Sequence, residues 1–198
     1  MKTSQEIIVK FVSCILMLAF MLVFFVISIQ FFACFGAAKS LPEIGRHRIM
    51  RVIVYGSTYD MNSATVSARI SIMDTEDSEV AVIERSWKGS TLFIDFVGAD
   101  FLGRKVYFPY TVRSDARKKG TLLERYYMEH GRCYLAGDNI TEKEQKSFYY
   151  LGRYALGQAK RIFTAFTRLY TIDLSQCLSG RYYSVYTGMD GLPQLVAE

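Results

Sequence analysis

Between Lys10 and Lys39 the chain carries no charged residue. The run FVSCILMLAFMLVFFVISIQFFACFGAA is polar only at Ser13, Ser28 and Gln30. It therefore lacks the polar stripe at helical spacing that a surface helix of a soluble domain shows. As a helix it reaches about 42 Å, more than the roughly 30 Å hydrocarbon core of a bilayer. The sequence predicts a transmembrane helix over residues 11–38, tilted and ending before Gly36, with the lipid bilayer as its partner. Two features compete with a retained anchor. Gly36-Ala37-Ala38 offers small residues to a signal peptidase, and Phe31-Phe32-Ala33-Cys34 is a loose lipobox. Against both, the apolar run is about twice the 7–15 residues of a signal-peptide core. An uncleaved signal anchor, with no specific dimer face of the glycophorin kind, is the reading adopted.

Orientation is set by the flanks. Lys39, Arg46, Arg48 and Arg51 lie after the segment and only Lys2 and Lys10 before it, a count that puts the domain in the cytoplasm. A ten-residue basic tail ahead of a first hydrophobic segment, however, has the form of a signal anchor that exports the chain beyond it. Long domains also translocate largely regardless of charge. The expectation is an exported domain.

Charge and length bound the rest. The 198 residues hold 24 Lys+Arg and 19 Asp+Glu, a net of +5. Removing residues 1–38 leaves 160 residues with a net of +4, too little for a nucleic-acid footprint. At 51% hydrophobic the chain is too apolar to be disordered. One membrane segment and one domain with its own core use the whole length. A multidomain enzyme, a polytopic transporter and a short disulfide scaffold are excluded. The expected organisation is a tail over 1–10, the anchor over 11–38, a linker over 39–47 broken by Pro42 and Gly45, a domain over 48–189 and a frayed tail over 190–198.

Within the domain the first half has period two. Val66, Ala68, Ile70 and Ile72 alternate with Ser67, Arg69 and Ser71, and Val106, Phe108, Tyr110 and Val112 alternate with Tyr107, Thr111 and Arg113. With runs at 49–55, 80–87 and 92–97 this gives about five strands, joined by short turns as an antiparallel meander. Pro109 marks the last as an edge strand. Beyond Arg113 the period turns helical. Capping boxes at Thr121-x-x-Glu124 and Thr141-x-x-Glu144 predict helices over 122–130 and from about 142 to 168. The second buries Phe148, Leu151, Ala155, Ile162, Phe166 and Leu169. A short helix near 173–178 and a last strand over 181–187 complete an α+β fold.

Chemistry-bearing patterns are sparse. The histidines are His47 in the linker and His130 at an expected helix end, where a favourable dipole contact is the plainer role. No Gly-x-Ser-x-Gly elbow exists to present a nucleophile. Gly98 to Lys105 has P-loop glycine spacing, but Arg104 and Lys105 replace the Lys and Ser/Thr, so it reads as a hairpin loop. Asp74, Glu76, Asp77 and Glu79 lack the spacing of a calcium loop and read as a solvated turn. No Cys-x-x-Cys pair supports zinc or redox chemistry, and no cofactor or metal site is expected. Cys14 and Cys34 lie in the anchor. Cys133 and Cys177 are a candidate disulfide to test in an exported domain and buried thiols in a cytoplasmic one. The glycosylation sequon at Asn139 is occupied by turn and cap duties.

What remains is surface charge and tyrosine. All 14 tyrosines lie beyond the anchor, with doublets at 126–127, 149–150 and 182–183; each doublet turns one ring to the core. Lys146, Arg153 and Lys160, with Arg161 and Arg168 beside them, share one face of the expected long helix. That face suits an acidic protein partner or anionic lipid, against the plainer reading of a solvated helix face. The functional expectation is a non-catalytic, membrane-anchored domain that binds a protein partner at the membrane surface. The alternatives are an enzyme with a Tyr/Arg-lined pocket and a cytoplasmic domain touching anionic lipid or nucleic acid.

Overall fold

The computed structural model describes residues 2–41, 45–60, 63–159, 167–187 and 191–198. Helix α1 runs unbroken over Lys2–Ser40, so the expected tail and anchor are one element and the helix passes through Gly36 without ending there. It is long and apolar enough to cross a membrane, which is compatible with a transmembrane segment or a signal anchor. From Val9 to Gln30 its side chains are exposed apart from a half-buried Ser28. Beyond that point Cys34, Ala37, Ala38 and Leu41 are buried in the same core as the domain.

The alternating stretches fold as antiparallel strands: β1 (Arg48–Asp60), β2 (Ser63–Met73), β3 (Glu79–Lys88), β4 (Leu92–Phe101) and β5 (Arg104–Ser114). They are followed by β6 (Arg117–Leu122), a short hairpin of β7 (Met128–Glu129) and β8 (Arg132–Cys133), helix α2 (Glu142–Ala159), and strands β9 (Thr167–Asp173), β10 (Tyr182–Thr187) and β11 (Pro193–Ala197). The whole is α+β. The expected single meander is two sheets, ordered β11-β10-β1-β2-β3 and β6-β5-β4-β9. The chain leaves the first sheet at Gly89, whose φ of +129° an L side chain rarely adopts. The Asp115 carboxylate holds this crossing by accepting from Ser90 N and Oγ and from the Ala116 amide. Those bonds, the Ser90 hydroxyl first, keep its pKa below the ordinary carboxylate value.

Several local expectations are corrected. Residues 122–130 form no α-helix, because Thr121 lies in β6 and its hydroxyl accepts from Arg85 and Trp87. Only a 3₁₀ turn over Glu124–Tyr126 remains. The second capping box does form: Glu144 N–H donates to Thr141 Oγ1, and the Glu144 carboxylate accepts from Thr141 N. Helix α2 buries Phe148, Leu151 and Ala155 as expected and adds Leu156. Ile162 and Phe166 lie outside the described residues. Arg168 and Leu169 stand in β9, where a Thr- and Tyr-rich segment pairs with β4. Residues 174–180 are turns, not a helix. β5 lies inside its sheet, yet its ladder to β6 begins only at Thr111, so Pro109 has no β6 partner to deprive.

The C-terminal residues also differ from expectation. Instead of fraying, they add β11 to β10, with Pro193 at the strand start where a missing N–H is tolerated. Glu198 locks this strand: its carboxylate meets Arg51 at 2.5 Å and Arg48 at 2.9 Å, and also accepts from Ser184. Burial alone would raise the Glu198 carboxyl. The bonds from Ser184, Arg51 and Arg48 outweigh it and hold the pKa below the ordinary 4.5. At the adjacent corner, burial lowers the His47 imidazole below 6.5, against an opposing bond to Gly45 O, and Thr187 Oγ1 sits 3.1 Å from its Nδ1. Both depressed values have the same sign. Each contribution is complete above the unfolded value and is lost as pH falls through the folded one. Acidification is therefore expected to loosen this corner in two steps, His47 first and Glu198 later. Amide exchange of 194–197 should accelerate ahead of β2, and His47→Gln should remove the first step only; simultaneous loss across both sheets would contradict this.

Candidate functional site

Of the basic residues placed on one helix face, Lys146 and Arg153 do share α2, but Arg168 is on β9, and Lys160 and Arg161 lie outside the described residues. Lys146 pairs with Glu142 at 2.7 Å and Arg153 with Glu124 at 3.5 Å. The first is a solvent-exposed pair of small energetic worth, and in the second Arg153 is exposed while Glu124 is largely covered. No continuous basic face of the expected kind stands among the described residues.

Both side chains instead flank the crossing of α1 and α2. The helices run antiparallel: Ser40 Oγ lies 2.7 Å from Ser147 Oγ, and lower down Cys34 Sγ lies 3.9 Å from Tyr150 O. Contrary to the expectation of no glycophorin-like face, Ala33, Gly36, Ala37 and Ser40 recur at a spacing of three and four, a small-residue stripe that permits this approach. The β4–β5 hairpin completes the junction. Arg104 donates to the carbonyls of Ala38 and Leu41, supplying partners that the end of a helix otherwise lacks. The Phe101 ring packs at a tilt against Phe31, 5.9 Å between centroids, and edge-to-face against Tyr154 at 5.2 Å. Two clefts flank the crossing, one of about 530 Å³ lined by Lys143 and Lys146 among others and one of about 370 Å³ beside Arg153.

A second surface lies on the outer face of the five-stranded sheet. Its inward row, Val52, Ala68, Ile70, Ile72 and Val185, is fully buried. Its outward positions carry Arg51, Arg69 and Tyr182 among small serines. Tyr182, Ile53, Arg69 and Glu84 stand in register across four strands. The Arg51 guanidinium lies 4.2 Å over the Tyr182 ring, and Tyr55 donates to Glu84. Tyr55 is 45% exposed and Tyr182 42%, while Tyr183 faces inward at 8%. The tyrosine doublets thus divide as expected, and Tyr127 is the fully buried ring of its pair.

Other sequence candidates have structural employment. Asp74 accepts from Glu76 N and Ser78 N, Asp77 pairs with Arg48, and Glu76 accepts from both Asn139 N and Nδ2. His130 ends no helix; with Gly131 it forms the positive-φ turn between β7 and β8. Asp95 is buried and accepts from Thr111, Thr171 and Arg113. Cys133 and Cys177 are both free thiols, the first fully buried in β8 and the second in the β9–β10 loop. Burial pushes them to about 12 and about 11, so neither is a nucleophile at neutral pH. Among the described residues no three His, Cys, Asp or Glu side chains gather as metal ligands. Compared with protein-family models, with curated proteins and with solved structures, the chain matches none of them.

Proposed function

We propose that this chain is an uncleaved single-pass membrane protein whose domain docks a protein partner on the outer face of the first sheet and performs no chemistry of its own. The observation that carries the reading is the exposed Tyr55–Tyr182–Arg51–Arg69 surface. Interfaces favour Tyr and Arg in their buried centres, where both give large contact area and oriented hydrogen bonds. Retention of the helix is supported by its upper end: cleavage near Ala38 would remove residues that are buried in the core. About twenty residues cross the hydrocarbon, and the exposed stretch from Phe11 to Gln30 supplies them. The surplus length then enters the domain and needs no tilt. Such a junction holds the docking face at a fixed attitude to the bilayer.

The test is site-specific photocrosslinking in intact membranes. A benzophenone side chain at Tyr182 is expected to give a discrete adduct that Arg69→Ala weakens, whereas the same group at Leu178, exposed on the β9–β10 loop, gives none. Equal adducts from both positions, or none from Tyr182, would remove the docking face. The domain is read as exported. Tyr59→Cys, 72% exposed in the wild type, should react with an impermeant maleimide outside intact cells; labelling only after lysis reverses the orientation.

A further inference from the structure

We infer that the cleft of about 370 Å³ between α1 and α2 holds a phospholipid of the surrounding leaflet, with its phosphate at Arg153 and the start of an acyl chain against α1. The inference rests on the transmembrane reading of α1. The cleft lies within the roughly 300–1,000 Å³ of ligand sites, and its walls are amphipathic in one direction. Ile29 and Ala33 of α1 face Tyr150, Arg153, Tyr154 and Gly157 of α2. Because the helices run antiparallel, α2 descends along α1 as its numbering rises. The Ser40–Ser147 and Cys34–Tyr150 contacts lead down to Gly157 at the level of Ile29, where the exposed apolar stretch ends. A guanidinium and two phenols thus ring an apolar slot at the depth of phospholipid headgroups, where such rings concentrate.

Arg153 is equipped for the phosphate. Its contact with Glu124, 3.5 Å on a side chain that is 60% exposed, engages one edge of a five-donor fork suited to bidentate oxyanion binding. Gly157 keeps the floor open: a Cβ built there meets nothing within 4 Å. A protein helix in the same cleft would leave the guanidinium facing a hydrocarbon surface, so a lipid satisfies both walls better.

The full chain in phosphatidylcholine vesicles, doped with a phosphatidylglycerol whose acyl chain carries a diazirine, tests this after photolysis and peptide mapping. The decisive peptide is 150–157 of α2, since any membrane helix labels along its length. Wild type is expected to label on α2, Arg153→Ala roughly tenfold less, as for loss of a charged hydrogen bond, and Lys146→Ala unchanged. Gly157→Leu, which fills the slot without touching charge, should also suppress α2 labelling. A diazirine diacylglycerol, which has no phosphate, should label α2 as weakly as Arg153→Ala does. Labelling of α1 without α2 overturns the lipid site and leaves the anchor standing. Absence of label on both overturns the two together. Equal labelling by the diacylglycerol, or by Arg153→Ala, overturns recognition of the phosphate.

Discussion

A chain begun at Phe31 is expected to keep its fold in mild detergent, and one begun at Gly45 to lose it. The shorter form lacks Cys34, Ala37, Ala38 and Leu41, each buried to within 6%. At the usual value per unit of apolar area their burial is worth about 5 kcal/mol. That is comparable to the roughly 5–15 kcal/mol by which domains are stable at all. Arg104 would also lose the Ala38 and Leu41 carbonyls it serves, and α2 would expose the face that α1 covers. The expected melting difference is about 10–20 °C, or no cooperative transition in the shorter form. Two forms melting within about 3 °C of each other would mean that α1 only tethers the domain.

The second large effect is expected at Asp95. Its carboxylate, 6% exposed, accepts from Thr111 at 2.8 Å, Thr171 at 2.7 Å and Arg113 at 2.9 Å, tying β4 to both of its neighbours. Asp95→Ala leaves two hydroxyls and a guanidinium without their acceptor, a loss of about 3 kcal/mol. The figure is kept low because Arg113 is 31% exposed and stacks 4.7 Å over Phe93, which gives it another berth. Urea unfolding should show a lowered midpoint with an unchanged slope. In a double-mutant cycle with Thr111→Val, the pair should cost less than the sum of the singles. Strict additivity would show that the carboxylate and hydroxyl do not cooperate.

How far these features are legible in the sequence depends on the range over which they are encoded. The alternation of Val66 to Ile72 and of Val106 to Val112 is local and yields the strands. Thr141 and Glu144 encode a cap across one turn, and it forms. Thr121 and Glu124 carry the same pattern, but Arg85 and Trp87, distant in sequence, take the threonine hydroxyl for a sheet edge. The division into two sheets depends on Asp115 reaching back to Ser90, and no window of residues contains that relation. β9 was hidden because Leu169 falls in helical phase with the end of α2. The basic helix face failed for the same reason at Arg168. The Tyr- and Arg-bearing outer face of the first sheet left a fainter signal: Tyr55, Arg69 and Tyr182 sit at outward positions of strands, where Thr, Lys or Glu would satisfy solvent as well. The small-residue stripe from Ala33 to Ser40 was readable, but its partner α2 lies more than a hundred residues along the chain.

The strand order also dictates when the protein can be finished during synthesis. β1 waits for β10, and β4 waits for β9, so each sheet keeps an inner strand open along one edge until nearly the whole chain has been made. Unpaired inner edges are templates for wrong partners, and pairings this distant in sequence form slowly. On the proposed membrane reading of the first helix, a nascent chain carries those open edges at the membrane surface, among other copies emerging nearby. The strand order therefore predicts that misassembly during synthesis is most sensitive to chaperone cover while residues 167–187 are still being added.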